Sequence, residues 1–247
     1  MDTQFILTDD TLNAIKVVLS DARIRPYILA ANNDLGKAIR IYEINIQLCE
    51  ALYPSLHTVE VALRNAIDKS LSYTYEKDWL WNQKLRFNSQ EKNLIQKSTD
   101  DIKYEITQKY KDNSRPQKII KSELNNITIK NKVIAELNFG FWKALIVEKY
   151  YQPSIFNRCS RHIFHYAETQ ERNVTVVRDL IPKINSFRNR VFHHEPIWND
   201  KELYCKYQEV YRLIKWICPT TANWIKCSDR FIEVYNNATQ SIKELKK

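Results

Sequence analysis

The sequence predicts an all-α fold, a helical bundle with additional N- and C-terminal helices. Two observations predict it. Apolar residues recur at three and four positions almost throughout, and glycine occurs only twice in 247 residues, at Gly36 and Gly140. Scarce glycine argues against a turn-rich β-sandwich, whose tight hairpins favour it. It also excludes a phosphate-cradling loop of clustered glycines. With 44% hydrophobic residues, the chain can bury a sizeable core. We read residues 1–247 as one all-α domain, with a bundle core over roughly 34–218 and accessory helices in 1–33 and 219–247.

The elements follow in order. Asp9, Asp10 and Thr11 look like an N-terminal cap, and Leu12, Ile15, Val18 and Leu19 then trace a short helix. Pro26 predicts a break. From Asp34, the set Leu35, Ala38, Ile39, Tyr42, Ile46 and Cys49 predicts a long amphipathic helix. Pro54 is expected to close it and to open the next, whose stripe is Leu56, Val59, Leu63, Ile67 and Leu71. Residues 76–88, with Trp79, Trp81 and Phe87, lack periodicity and predict a packed loop. Asn88–Ser89 then caps a helix towards Tyr110. Residues 111–117 give the strongest loop signal, followed by a helix over 117–136, a junction at 137–142 and a short apolar helix over 141–150. Pro153 opens an irregular stretch. Val176, Leu180, Ile184, Phe187 and Val191 predict a helix stopped by Pro196, with a kink at Pro182. Helices over 200–217 and 229–245 complete the chain.

Lys and Arg number 38 against 29 Asp and Glu, a net charge of +9. Such a surplus points to an anionic partner, nucleic acid before a membrane surface. It is spread along the chain, so a merely solubilising surface fits equally well. No run of 18 apolar residues predicts a membrane span, and no secretory signal is visible at the N-terminus. The five cysteines are scattered and contain no C-x-x-C pair. They read as reduced thiols of a cytoplasmic protein, and the spacings of a zinc site are missing.

The segment richest in chemistry is Ser186 to Pro196, which carries Arg188, Asn189, His193 and His194. Asn189 and His193 stand four apart and share a helix face. An amide contacting one ring nitrogen would fix the tautomer and aim of the other. Arg188 and His193 lie five apart, roughly 140° around a regular helix and about 7.5 Å along it. Focusing both on one small target therefore needs a partly unwound turn before Pro196, or a second copy of the segment. A guanidinium can clamp a phosphate and offset charge in the transition state. An imidazole can move protons to or from a 2′-hydroxyl or a 5′-oxygen. Together they suffice for RNA cleavage by 2′-hydroxyl attack without a metal or cofactor. A structural account competes with this one, since cations suit the dipole at a helix C-terminus, and Glu195 could simply pair with Arg190. His193 and His194 as metal ligands are disfavoured, because adjacent side chains diverge on a helix.

The string from Arg188 to Trp198 resembles the R-N-x-x-x-H signature of HEPN domains. It also resembles the "RN…HHEPI" block of Abi-like abortive-infection proteins of the AbiD/AbiF type. Val59 to Ile67 is similar to that family's early E-x-x-L-R-N helix. Leu137 to Trp142 is similar to its L-S-F-G-x-W junction, with Asn138 in place of serine. The resemblance covers roughly residues 20–220. It implies an α-helical HEPN fold, a role in phage defence, and metal-independent endoribonuclease activity, often built from a homodimer whose signature segments meet across a dyad. Carried over, it makes Arg188 the phosphate clamp, Asn189 the orienting residue and His193 the acid/base, with His194 an ambiguous neighbour. Glu60 and Arg64 read either as an ordinary helix salt bridge or, with Asn65, as support for the signature.

Two alternatives use the same residues. One is a module that holds a structured small regulatory RNA without cleaving it. The other is a protein-interaction scaffold. Phe139, Phe141, Trp142, Trp79 and Trp81 are expected in the core, not as base-stacking platforms. Tyr204, Tyr207 and Tyr211 are expected to be packing or dimer surface.

Overall fold

A computed structural model of the chain describes residues 8–111 and 126–246. Among the described residues the fold is all-α, with no strand. Its helices are α1 (Asp9–Leu19), α2 (Asp21–Ala30), α3 (Leu35–Tyr75), α4 (Ser89–Lys109), α5 (Asn126–Glu136), α6 (Phe139–Val147), α7 (Asn157–Ile163), α8 (Val174–Phe192), α9 (Leu203–Ile217), α10 (Pro219–Lys226) and α11 (Phe231–Leu245). A 3-10 turn over Lys149–Tyr151 and a π turn over Gln152–Phe156 fill the irregular stretch around Pro153. The predicted loop at 111–117 and the start of the helix predicted over 117–136 lie mostly outside the described residues.

The chain forms two compact units. The first joins residues 1–57, 186–208 and 223–247; the second joins 58–185 and 209–222. Helices α3, α8, α9 and α10 contribute to both.

In the first unit, α1 and α2 pack on the start of α3. Leu12, Ile24, Tyr27, Ala31, Ala38, Ile39 and Ile41 form a buried cluster. Tyr27 sets its ring edge-on to Tyr42 at 5.1 Å and tilted to Trp198 at 6.0 Å. Tyr207 stacks on Phe231 at 4.4 Å and Tyr204 lies against Tyr235, so these two tyrosines of α9 pack on α11.

The second unit centres on aromatic packing. Trp79, Phe139, Phe141 and Trp142 are buried as expected, whereas Trp81 stays partly exposed. Trp79 meets Trp142 edge-on at 6.2 Å, and Phe141 meets Trp142 at 5.0 Å. Several polar groups inside this core are paired, as burial demands. The Trp79 indole donates to Asp68 at 2.7 Å, buried Lys130 meets the same carboxylate at 2.7 Å, and the Trp142 indole donates to the Leu137 carbonyl. Tyr151 donates to buried Glu91 at 2.6 Å while accepting from the Asn88 amide. Burial and that hydrogen bond hold the Tyr151 phenol well above its ordinary value.

Three expectations are corrected. Helix α3 runs through Pro54 without interruption. A proline inside a helix costs about 3 kcal/mol, but Ala51, Leu52, Leu56 and Val59 are all buried beside it, and burial of such side chains at about 1.5–3 kcal/mol each outweighs that cost. Pro26 likewise sits inside α2 between fully buried Ile24 and Tyr27. The chain turns instead at Asn32 and Asn33, both left-handed, the conformation asparagine tolerates best after glycine. The buried face of early α3 is Ala38, Ile41, Asn45, Leu48 and Leu52, while Ile46 is exposed. Between the helices expected over 200–217 and 229–245, Pro219 to Lys226 forms a further helix, α10, with proline at its first position.

Candidate active site

Helix α8 carries the signature and ends at Phe192, four residues ahead of Pro196. The ending is a Schellman turn. The Glu195 amide donates to the Arg190 carbonyl at 2.9 Å, and the His194 amide donates to the Val191 carbonyl at 3.1 Å. His194 occupies the left-handed position of that motif, with φ of 59°. Glycine usually sits there, because other residues strain by roughly 1–2 kcal/mol. Arg23 of α2 donates to the His194 carbonyl at 2.5 Å, which fixes the turn from outside.

The chain beyond is pinned as firmly. Buried Asn45 accepts from the Ile197 and Trp198 amides at 2.7 and 3.2 Å. Arg190 donates to the Pro196 carbonyl and bridges Asp200 at 3.2 Å and Glu195 at 3.5 Å, the pairing the sequence allowed. Lys206 reaches Asp200 at 2.6 Å. Burial pushes the Asp200 carboxyl up, but the Lys206 ammonium, the Glu202 amide and Arg190 outweigh it and hold the group below its ordinary value.

On this scaffold Arg188 is half-buried, with its guanidinium over the Phe192 ring at 4.1 Å and a long contact from Nη1 to Asn189 Oδ1 at 3.5 Å. Asn189 gives its carbonyl to the His193 amide at 2.8 Å. His193 and His194 are both exposed. Phe192 continues the aromatic path, since Tyr53 lies 5.7 Å from it and His57 stacks on Tyr53 at 5.8 Å. Guanidinium, phenyl, phenol and imidazole thus form one row. Beside it opens a groove of about 580 Å³, lined by Ile46, Cys49 and Tyr53 from α3, by Phe192 and His194, and by the Arg230–Glu50 ion pair at its edge.

Glu60, Arg64 and Asn65 belong to the second unit. Arg64 donates to the Ala135 carbonyl at 3.4 Å, and its buried Nε has no hydrogen-bond partner. Glu60 is half-buried and Asn65 is exposed. In the glycine junction, Asn138 caps α6 by accepting from the Phe141 amide at 3.0 Å, which serine would also do. A Cβ on Gly140 would lie 3.0 Å from that cap oxygen, so a larger residue there would press on the cap.

Sequence reasoning missed Arg23, Asn45, Tyr53, His57 and Asp200. Asn45 had a legible signal, a polar residue on an otherwise apolar face. The others come from elements distant in sequence and had none.

Among the described residues no group of three or more His, Cys, Asp or Glu side chains is placed to hold a metal, and no helix is long and apolar enough to cross a membrane. All five cysteines are free thiols.

Fold and site together define an all-α protein with an Arg-Asn-x-x-x-His helix end. The family model for Abi-like proteins matches residues 19–199, and the chain belongs to that family. No curated protein and no solved structure matches it significantly.

Proposed function

We propose that the chain is a metal-independent endoribonuclease of HEPN type that acts as an effector of abortive infection, working as a homodimer in the cytoplasm. Membership of the Abi-like family supports the defence role. The observation that carries the chemistry is the fixed end of α8, where Arg188 rests on Phe192 and His193 faces solvent one position past the helix.

In this reading Arg188 clamps the scissile phosphate. Asn189 steadies the guanidinium and holds the backbone of His193. The His193 imidazole serves as general base for the 2′-hydroxyl or as general acid for the leaving 5′-oxygen. The 2′-oxygen attacks phosphorus and the P–O5′ bond breaks. The products are a 2′,3′-cyclic phosphate and a 5′-hydroxyl: the base takes the proton of the 2′-hydroxyl and the acid gives one to the departing 5′-oxygen. A second protomer supplies the other member of the acid–base couple, which one chain with this spacing does not easily provide.

The test incubates the full chain with RNA in EDTA and maps the ends produced. Cyclic phosphate ends from the wild type, lost in Arg188→Ala and in His193→Ala, are expected. Cutting abolished by EDTA, or retained by His193→Ala, overturns the mechanism. An intact, discrete RNA that co-purifies with the protein would instead indicate a holder of regulatory RNA.

A further inference from the structure

The second unit contains a pocket that the cleavage reading leaves unused. It encloses about 580 Å³, within the range of sites that take small organic ligands, ~300–1,000 Å³. Asn65, Lys69 and Tyr73 line it from α3, and His162, His165 and Tyr166 line it from the end of α7 and the turn beyond. Among the described residues none of its lining groups is acidic. An ammonium and two imidazoles without a carboxylate favour an anion.

Its aromatic groups are placed as if awaiting a flat partner. Tyr73 is 82% exposed and Tyr166 is 59% exposed, a cost that a packed role would have avoided. Tyr73 tilts at 52° to His162, and His165 meets Tyr166 edge-on at 90°, so neither contact consumes both ring faces. Ala62 and Ala66 line the pocket on α3 with small side chains and leave room for a planar group. Asn65 offers both a donor pair and an acceptor, which matches the edge of a nucleobase.

The walls are fixed. Ser70 Oγ donates to the Cys159 carbonyl at 3.4 Å, tying α3 to α7. The Tyr166 amide donates to the Trp216 carbonyl at 3.0 Å, tying the turn after α7 to α9. Glu171 then accepts from the Trp216 indole at 2.9 Å and bridges Arg212 at 3.1 Å. A site held this way loses little entropy when a ligand enters.

We propose that this pocket binds a nucleotide unit, with the base against Tyr73 and Tyr166, its edge at Asn65, and its phosphate at Lys69 and the two imidazoles. Base stacking on aromatic side chains of this kind is worth about 1–3 kcal/mol per base. The unit can be a free mononucleotide or one residue of an RNA strand. Neither source depends on cleavage at Arg188 and His193.

Cys218 supplies a reporter. It lines the pocket, and hydrogen bonds from the Thr221 hydroxyl and amide hold its thiol below its ordinary value, which favours the thiolate, the form that iodoacetamide alkylates. The experiment uses the full chain carrying Arg188→Ala and His193→Ala, so that RNA stays intact. It is treated with iodoacetamide alone, with AMP or UMP, or with an eight-residue oligouridine, and labelling is read peptide by peptide. We expect ligand to slow labelling of Cys218 at least fivefold and to leave exposed Cys227 unchanged. Protection by mononucleotide identifies a free effector, and protection by the oligomer alone identifies a strand. The Tyr73→Ala, Lys69→Ala variant, changed only at exposed positions, should need at least tenfold more ligand for the same protection. Equal labelling of Cys218 in all arms, or protection unchanged in that variant, overturns the proposal. Loss of RNA cutting in the wild type would sink the nuclease and leave the pocket standing.

Discussion

The Arg23 guanidinium holds the carbonyl of His194, a residue whose backbone is left-handed. The contact spans 171 positions and fixes a turn that glycine would adopt without help. Replacing His194 by glycine should therefore be neutral or stabilising, by up to about 1 kcal/mol, which for a chain of this size raises Tm by about 2–4 °C. Valine at the same position should lower Tm. The glycine variant also separates the two histidines: under the cleavage reading it keeps most of its activity, because His193 remains.

Asn45 closes two buried amides with one oxygen. Asn45→Leu leaves the Ile197 and Trp198 amides without that acceptor, and each unmade bond costs about 1–3 kcal/mol. Urea denaturation should show a loss of about 2–4 kcal/mol. An unchanged midpoint would mean that this loop is held by other groups.

The aromatic row can be interrupted without changing charge. Phe192→Leu removes the ring beneath Arg188, and a contact of that kind is worth about 0.5–2 kcal/mol. Single-turnover cleavage should slow several-fold, with circular dichroism unaltered. Tyr53→Ala should raise the half-saturating RNA concentration more than it slows the chemical step.

Asp200 sets an acid limit on the first unit. Its carboxyl lies below its ordinary 3.8 in the folded chain. The stabilisation it gives is present above about that pH and disappears as pH falls through the lower folded value. Thermal melts of the wild type should fall between pH 4 and acid, and Asp200→Asn should be weaker at neutral pH and show a flatter acid limb.

Lys130 is a buried cation paired with Asp68 and hydrogen-bonded to Ser72 at 2.8 Å. Lys130→Ala should cost about 3 kcal/mol, because it strips the counter-charge from Asp68 and leaves that carboxylate the neutral Trp79 indole and Ser72 hydroxyl as donors. Asp68→Asn should cost at least as much, since it takes the counter-charge from the more deeply buried Lys130 ammonium.

The helical class and most helix positions were legible in the sequence, because burial imposes a period of 3.6 on the residues themselves. The cap at Asn88 was equally visible, since it satisfies local amides, whereas Asn138 reads in the sequence as part of a junction and not as a cap. Pro54 misled because a backbone preference of a few kcal/mol yields to a stripe of buried neighbours that lies on both sides of it. The early face of α3 misled because apolar residues cover more than one side there, and only the partners decide that Ile41 goes in and Ile46 stays out. Arg188, Asn189 and His193 could be singled out by type and spacing. The row through Tyr53 and His57 could not, because it joins residues more than a hundred positions apart.

The first unit is assembled from three stretches of chain, the earliest ending at residue 57 and the next beginning at residue 186. A ribosome adding about 5–20 residues per second therefore releases the opening stretch some 6–26 seconds before its neighbour exists. Chains cut short before residue 186 lack the α8 terminus altogether, so under the cleavage reading the proposed site is completed only late in synthesis.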